Sequence, residues 1–131
     1  MEVNKHVFVD LMRKSIEENK TRPCLHIKRG GAYDSITYAE FNDLCSRCAA
    51  ALHRAGAGKG AHVALIGANM PEWIMAWFSI VTAGARVVPI DPQLPEEEIA
   101  HIIERTTTGI VFCTRVYVDL FKNIHQQHKS L

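Results

Sequence analysis

No part of the 131 residues approaches the roughly 20 consecutive apolar positions a membrane-spanning helix requires. The longest uncharged run, Trp73 to Ala85, contains Gly84 and is closed by Arg86. Charge of one sign is equally scarce. Fifteen Lys and Arg stand against 14 Asp and Glu, a formal charge of +1, and the basic residues are scattered, so no field gathers a nucleic-acid backbone. Nucleic acid is excluded as an expected partner. Cysteine is limited to positions 24, 45, 48 and 113 in a chain long enough to build its own core, which predicts free thiols in place of a disulfide framework. The opening Met1-Glu2-Val3-Asn4-Lys5-His6 lacks a basic flank leading into an apolar stretch, so no secretory signal is read and a cytoplasmic setting is expected.

What is present suits one globular domain or a piece of one: 47% hydrophobic and 22% charged residues, with 8 Gly and 5 Pro. Val7, Phe8, Leu11, Met12 and Ile16 share a face at helical spacing, predicting a helix from Lys5 to Asn19 capped by Asn4. Cys24–Ile27 and Tyr33–Ile36 around Gly30-Gly31 predict a hairpin, because paired glycines accept the positive φ of a tight turn. Thr37-Tyr38-Ala39-Glu40 is a capping box opening a helix. Phe41, Leu44, Cys45, Cys48, Ala49 and Leu52 form its apolar face, and Gly56 stops it.

Beyond the loop at Gly56–Gly60, strands and helices alternate. Strands are expected at His62–Ile66, Arg86–Ile90 and Ile110–Cys113, and helices at Glu72–Ala83, Glu96–Arg105 and Tyr117–Gln126. Such alternation implies an α/β fold with parallel strands and right-handed crossovers. The helix from Glu72 to Ala83 has almost no polar face, so it requires cover on every side. A single sheet covers one side; the expectation is structure outside this chain, or self-association through residues 72–83.

Several short segments invite a chemical reading, and each has a plainer one. Gly56-Ala57-Gly58-Lys59-Gly60 resembles a phosphate loop in composition, but it closes a helix and leads into a strand, the reverse of a phosphate cradle. Thr106-Thr107-Thr108-Gly109 fails the same test and reads as a helix end closed by Gly109. Cys45 and Cys48 have zinc or redox spacing, yet they lie on the apolar face well inside a helix, with Cys24 and Cys113 in separate strands. Glu98 and His101 have the spacing of carboxylate-bridged iron pairs without the further glutamates such a site needs, and Glu96-Glu97-Glu98 suits a helix start. His125 and His128 read as solvated tail residues. Unlike the glycine and threonine loops, Asn69-Met70-Pro71-Glu72-Trp73 follows a strand and opens a helix, where a parallel sheet binds ligands. It contains no glycine, and Asn69 as cap with Pro71 at the helix start accounts for it. No residue is assigned a catalytic, cofactor-binding or metal-binding role.

Ile36-Thr37-Tyr38-Ala39-Glu40-Phe41 and the stretch from Ile80 to Asp91, with Gly84, Pro89 and Asp91 in place, closely resemble the first two core motifs of the adenylate-forming superfamily. Ala49-Ala50-Ala51-Leu52, Lys59-Gly60, Asn69 with Pro71-Glu72-Trp73, and Asp91-Pro92 with Glu97-Glu98-Ile99 agree with that likeness, which runs from about Val7 to about Phe121. The family's usual glycine-aspartate pair stands here as Gly60-Ala61, at a surface turn.

The resemblance implies the N-terminal portion, residues 1–131, of the large AMP-binding domain of an acyl-CoA synthetase, as an incomplete three-layer α/β unit with an N-terminal helix and hairpin. It implies that the phosphate loop, the nucleotide motifs and the C-terminal domain with its lysine lie outside these residues. For the parent enzyme it implies a carboxylate, ATP with Mg²⁺, and coenzyme A, giving acyl-AMP and then an acyl thioester. The wording Val87 to Pro95 is most like fatty acyl-CoA synthetases. The chain alone is expected to be inactive. The alternatives are a self-contained α/β interaction module and, ranked below it, a nucleotide-binding redox protein, for which Ile66-Gly67-Ala68-Asn69 supplies one glycine only.

Overall fold

The computed structural model describes residues 8–127. Apolar spacing on α1 (Phe8–Asn19) buries Ile16, and the predicted start with the Asn4 cap lies outside the described residues. Strands β1 (Pro23–Arg29) and β2 (Ala32–Thr37) pair antiparallel, with Gly30 and Gly31 at φ 56° and 88° making the turn that the two glycines predict. The capping box forms at the head of α2 (Tyr38–Arg54). The Glu40 backbone N–H donates to Thr37 Oγ1 at 3.2 Å, and the Thr37 N–H donates to Glu40 Oε2 at 2.8 Å. The Thr37 N–H, and after it the Thr37 hydroxyl, which donates to the same Oε2 at 2.8 Å, hold the Glu40 carboxyl below its ordinary pKa.

The remaining elements are β3 (His62–Ile66), α3 (Pro71–Thr82), β4 (Arg86–Pro89), α4 (Glu96–Thr106), β5 (Ile110–Cys113), a 3₁₀ turn (Arg115–Tyr117) and α5 (Val118–Gln127). β3 lies between β4 and β5 and runs parallel to both. Side chains alternate across a strand, and the four buried residues of β3 divide accordingly. Val63 and Leu65 join Leu52, Ala76 and Ile80 on the α2/α3 side, whereas Ala64 and Ile66 join Ile99, Ile103 and Ile124 on the α4/α5 side. The result is the three-layer α/β arrangement expected from the alternation of elements.

Cover for α3 comes largely from within the chain. Ala76, Ser79 and Ile80 are buried, Trp73, Ile74, Met75, Trp77, Phe78 and Val81 are half-buried, and only Glu72 and Thr82 are exposed. The sheet covers one flank and α2 another, with Phe41 edge-on to Phe78 at 5.2 Å. Phe8 of α1 adds an edge contact to Trp77 and stacks on Phe78, both at 5.4 Å, while remaining 47% exposed itself.

Two expected helix boundaries are corrected. The N-cap of α3 is Met70 in extended conformation, and not Asn69; no side chain caps this helix, because the Met70 thioether is a poor acceptor, and Pro71 at the first position leaves one orphan N–H fewer. α4 is closed by Thr107 in the left-handed region (φ 50°), and not by Gly109, because the chain must turn before the buried Thr108. The Thr108 hydroxyl meets Thr106 Oγ1 at 2.7 Å, so the three threonines serve the helix end.

Candidate functional site

In a parallel sheet, helix N-termini and ligand-binding loops collect at the carboxyl ends of the strands. The crevice opens between neighbouring strands whose following helices lie on opposite faces. β3 and β5 are such neighbours: α3 packs on the α2 side and α5 on the α4 side. A cleft of about 120 Å³ lies there, with Gly67, Met70, Glu72 and Trp73 on one wall and Phe112, Cys113 and Thr114 on the other. The walls meet where a Cβ on Gly67 would stand 3.0 Å from Thr114 Cγ2, so a larger residue at 67 would push the loops apart.

Glu72, in the first turn of α3, is the one charged residue of this lining. Its Oε1 accepts from Arg29 Nη2 at 2.7 Å, so the end of the hairpin is tied to the cleft mouth. The guanidinium holds the Glu72 carboxyl below the usual carboxylate range, and the carboxylate raises Arg29 in return. Both side chains are about half exposed, so the pair positions the hairpin more than it stabilises it. Burial pushes the Cys113 thiol up from its ordinary value.

The Asn69–Trp73 segment singled out in the sequence is therefore at the cleft, although Asn69 itself is exposed and outside its lining. Sequence reasoning missed the facing wall of Phe112, Cys113 and Thr114, because no local signal states that β5 is the neighbour of β3. Gly67 was visible only as an isolated glycine just after a strand.

The glycine and threonine loops lie at the opposite end of the sheet and flank one common cleft of about 280 Å³, lined by Gly56, Gly60, His62, Thr107 and Gly109. Gly56 and Gly60 adopt φ of 86° and 90°, which explains the glycines as turn residues. Both loops follow helix C-termini, whose partial negative charge disfavours phosphate.

The other candidates are dispersed. Cys45 is buried beneath α3, its Sγ donating to the Met75 carbonyl at 3.5 Å, and burial pushes its thiol up to about 11. Cys24, Cys48 and Cys113 are half-buried, and all four cysteines are free. Glu98, His101 and His125 are exposed, while His128 lies outside the described residues. Among the described residues no group of three His, Cys, Asp or Glu is placed to hold a metal ion, and no helix is long and apolar enough to cross a membrane. Asp91, in the second sequence motif, accepts from the Gln93 backbone N–H at 2.9 Å and so shapes its own turn, while the Ile90 N–H extends the sheet by bonding Leu65 O at 2.9 Å.

The same arrangement is found in known proteins. The nearly full-length overlap with the luciferase-like enzyme of the mealworm Zophobas morio has a TM-score of 0.82 at 22% identity, covering 98% of this chain and 30% of that one. The fatty acyl-adenylate ligase of L. pneumophila, solved with acyl adenylate and pyrophosphate, gives 0.76 at 23% identity, covering 86% of this chain and 20% of that one. These likenesses show the fold. In sequence, the chain is 32% identical over 100 residues to crotonobetaine/carnitine–CoA ligase of Salmonella arizonae, covering 76% of this chain and 19% of that protein. Nonribosomal peptide synthetase 5 of Gibberella zeae is 32% identical over 118 residues, 90% of this chain and 1% of that protein. The chain thus spans about a fifth of the CoA ligases it matches, 19% in each. Because the family described as AMP-binding enzyme matches residues 12–131, through both sequence motifs, the hairpin and the whole parallel sheet, the chain belongs to that family.

Proposed function

We propose that residues 1–131 are the scaffolding N-terminal portion of an AMP-forming acid–thiol ligase, and that they catalyse nothing by themselves. The observation that carries this reading is the family match over residues 12–131 in a chain spanning 19% of its CoA-ligase relatives. The whole enzyme joins a carboxylate to the α-phosphate of ATP, releasing pyrophosphate, and transfers the acyl group to the thiol of coenzyme A. Mg²⁺ supplies charge stabilisation at phosphorus when bound. The residues described here do not fit these groups. The switch-point cleft offers a carboxylate and no basic side chain to phosphates, and the glycine loops face the wrong end of the sheet.

A fatty acid is the proposed substrate, on the likeness of Val87 to Pro95, and the cytoplasm the proposed setting. Incubating the chain with ATP, Mg²⁺, a fatty acid and coenzyme A should release no pyrophosphate; measurable turnover would overturn the scaffold reading. A longer polypeptide carrying these residues should release it in an acid-dependent manner, and carnitine outcompeting fatty acids there would replace the proposed substrate. Self-association through residues 72–83 is proposed as a consequence of α3 retaining half-buried aromatic residues, and sedimentation of the chain as a monomer would reject it.

A further inference from the structure

The cleft at the carboxyl ends of β3 and β5 has a chemistry that its position does not explain. Its walls are rich in electrons: the rings of Trp73 and Phe112, the sulfurs of Met70 and Cys113, and the carboxylate of Glu72. None of its lining residues is basic. Arg29 reaches Glu72 from outside that lining, and by way of Oε1. A phosphate or carboxylate entering the cleft would meet no cationic side chain and would face Glu72. A small organic cation would meet aromatic rings, polarizable sulfur and a counter-charge. The cleft of about 120 Å³ is open at its mouth, with room for a head group of a few heavy atoms and none for a nucleotide.

We propose that this cleft binds a compact tertiary or quaternary ammonium group, with Trp73 and Phe112 as its aromatic walls and Glu72 as its counter-ion. Opposing terms limit the preference. The α3 N-terminus favours negative charge and is already answered by Glu72, and Arg29 shares the same carboxylate. The selectivity for a cation is therefore modest, and it rises when Arg29 is removed. The proposal is independent of the ligase reading, since binding and not turnover is measured.

The test is a titration of the chain with tetramethylammonium chloride, sodium chloride keeping the ionic strength constant, and separately with tert-butanol as an uncharged molecule of similar shape. The resonance of the Trp73 indole N–H reports occupancy. Trp77, which is outside the cleft lining and packs on Phe8, serves as the internal control. The expected result is a saturable shift at Trp73 alone, with the cation bound about tenfold more tightly than tert-butanol. Arg29→Ala should strengthen cation binding and Glu72→Gln should weaken it, both at half-exposed positions, with an unchanged Trp77 resonance reporting an intact fold. Equal affinity for the two probes, no saturable shift at Trp73, or cation binding indifferent to Glu72→Gln would each overturn the proposal.

Discussion

The two ends of the parallel sheet carry opposite kinds of sequence. At the amino ends of the strands lie the loops that look most like chemistry, Gly56 to Gly60 and Thr106 to Gly109, and they turn out to close α2 and α4. At the carboxyl ends lies a cleft formed by a glycine-poor segment that looks like nothing in particular. Strand direction decides between them. It sets which loops precede helices, and so which end presents helix N-termini and converging loops. Composition by itself is a poor guide to the functional end of a parallel sheet.

The largest effect should come from the strand that both ends share. Ile66→Ala, at a residue 1% exposed beside the cleft, should cost about 2–5 kcal/mol in urea unfolding. A loss under about 1 kcal/mol would mean that the carboxyl end is packed more loosely than the core described here. Thiol labelling sharpens the same contrast. With its thiol pushed up to about 11 by burial, Cys45 should react on the order of a hundredfold more slowly at neutral pH than an ordinary thiol. Half-buried Cys113 at the cleft should label before Cys45, and the reverse order, read by mass spectrometry, would contradict the placement of Cys45 beneath α3.

Glycine-to-alanine changes should separate the ends by mechanism. Gly56→Ala meets no atom within 4 Å but requires φ of 86°, so it should cost about 1–2 kcal/mol of backbone strain whatever is done to its neighbours. Gly67→Ala should cost about 1 kcal/mol through its contact with Thr114 Cγ2, and Thr114→Ser, which lacks that methyl, should restore most of it. A double-mutant cycle without coupling between 67 and 114 would break the picture of two loops in close approach.

Thr37→Ala should cost about 1 kcal/mol of α2 capping. Because Glu40 is lowered in the folded chain, its contribution is complete above the ordinary glutamate range and is lost as pH falls through the lowered value. Stability against pH in that acidic window should flatten in the variant. Arg29→Ala should have the smallest effect on stability, since both side chains of the pair are half exposed and screened by solvent. Glu72 is likewise lowered, so whatever Arg29 contributes is present above the carboxylate range and disappears on acidification. Salt insensitivity of the difference would argue against an ionic origin.

Most of the fold was legible in the chain. The capping box at Thr37 and Glu40, the Gly30-Gly31 hairpin and the alternation from His62 onward each declare themselves through local rules of hydrogen bonding and side-chain periodicity. The boundaries at Met70 and Thr107 were not legible, because a cap is chosen by the direction in which the chain must leave the helix. The candidate site was legible in part: Pro71, Glu72 and Trp73 stand after a strand and before a helix, a local pattern.

By itself, then, the sequence determined the order and type of the elements and, through its motifs, the family, because these rest on neighbours along the chain. The tertiary structure alone decided that β5 lies against β3, that Phe112 and Thr114 face Trp73 and Gly67, and that Arg29 reaches Glu72 across 43 positions. Strand order is set by how the two helical layers bury their apolar faces on a shared sheet, and no local pattern encodes that choice.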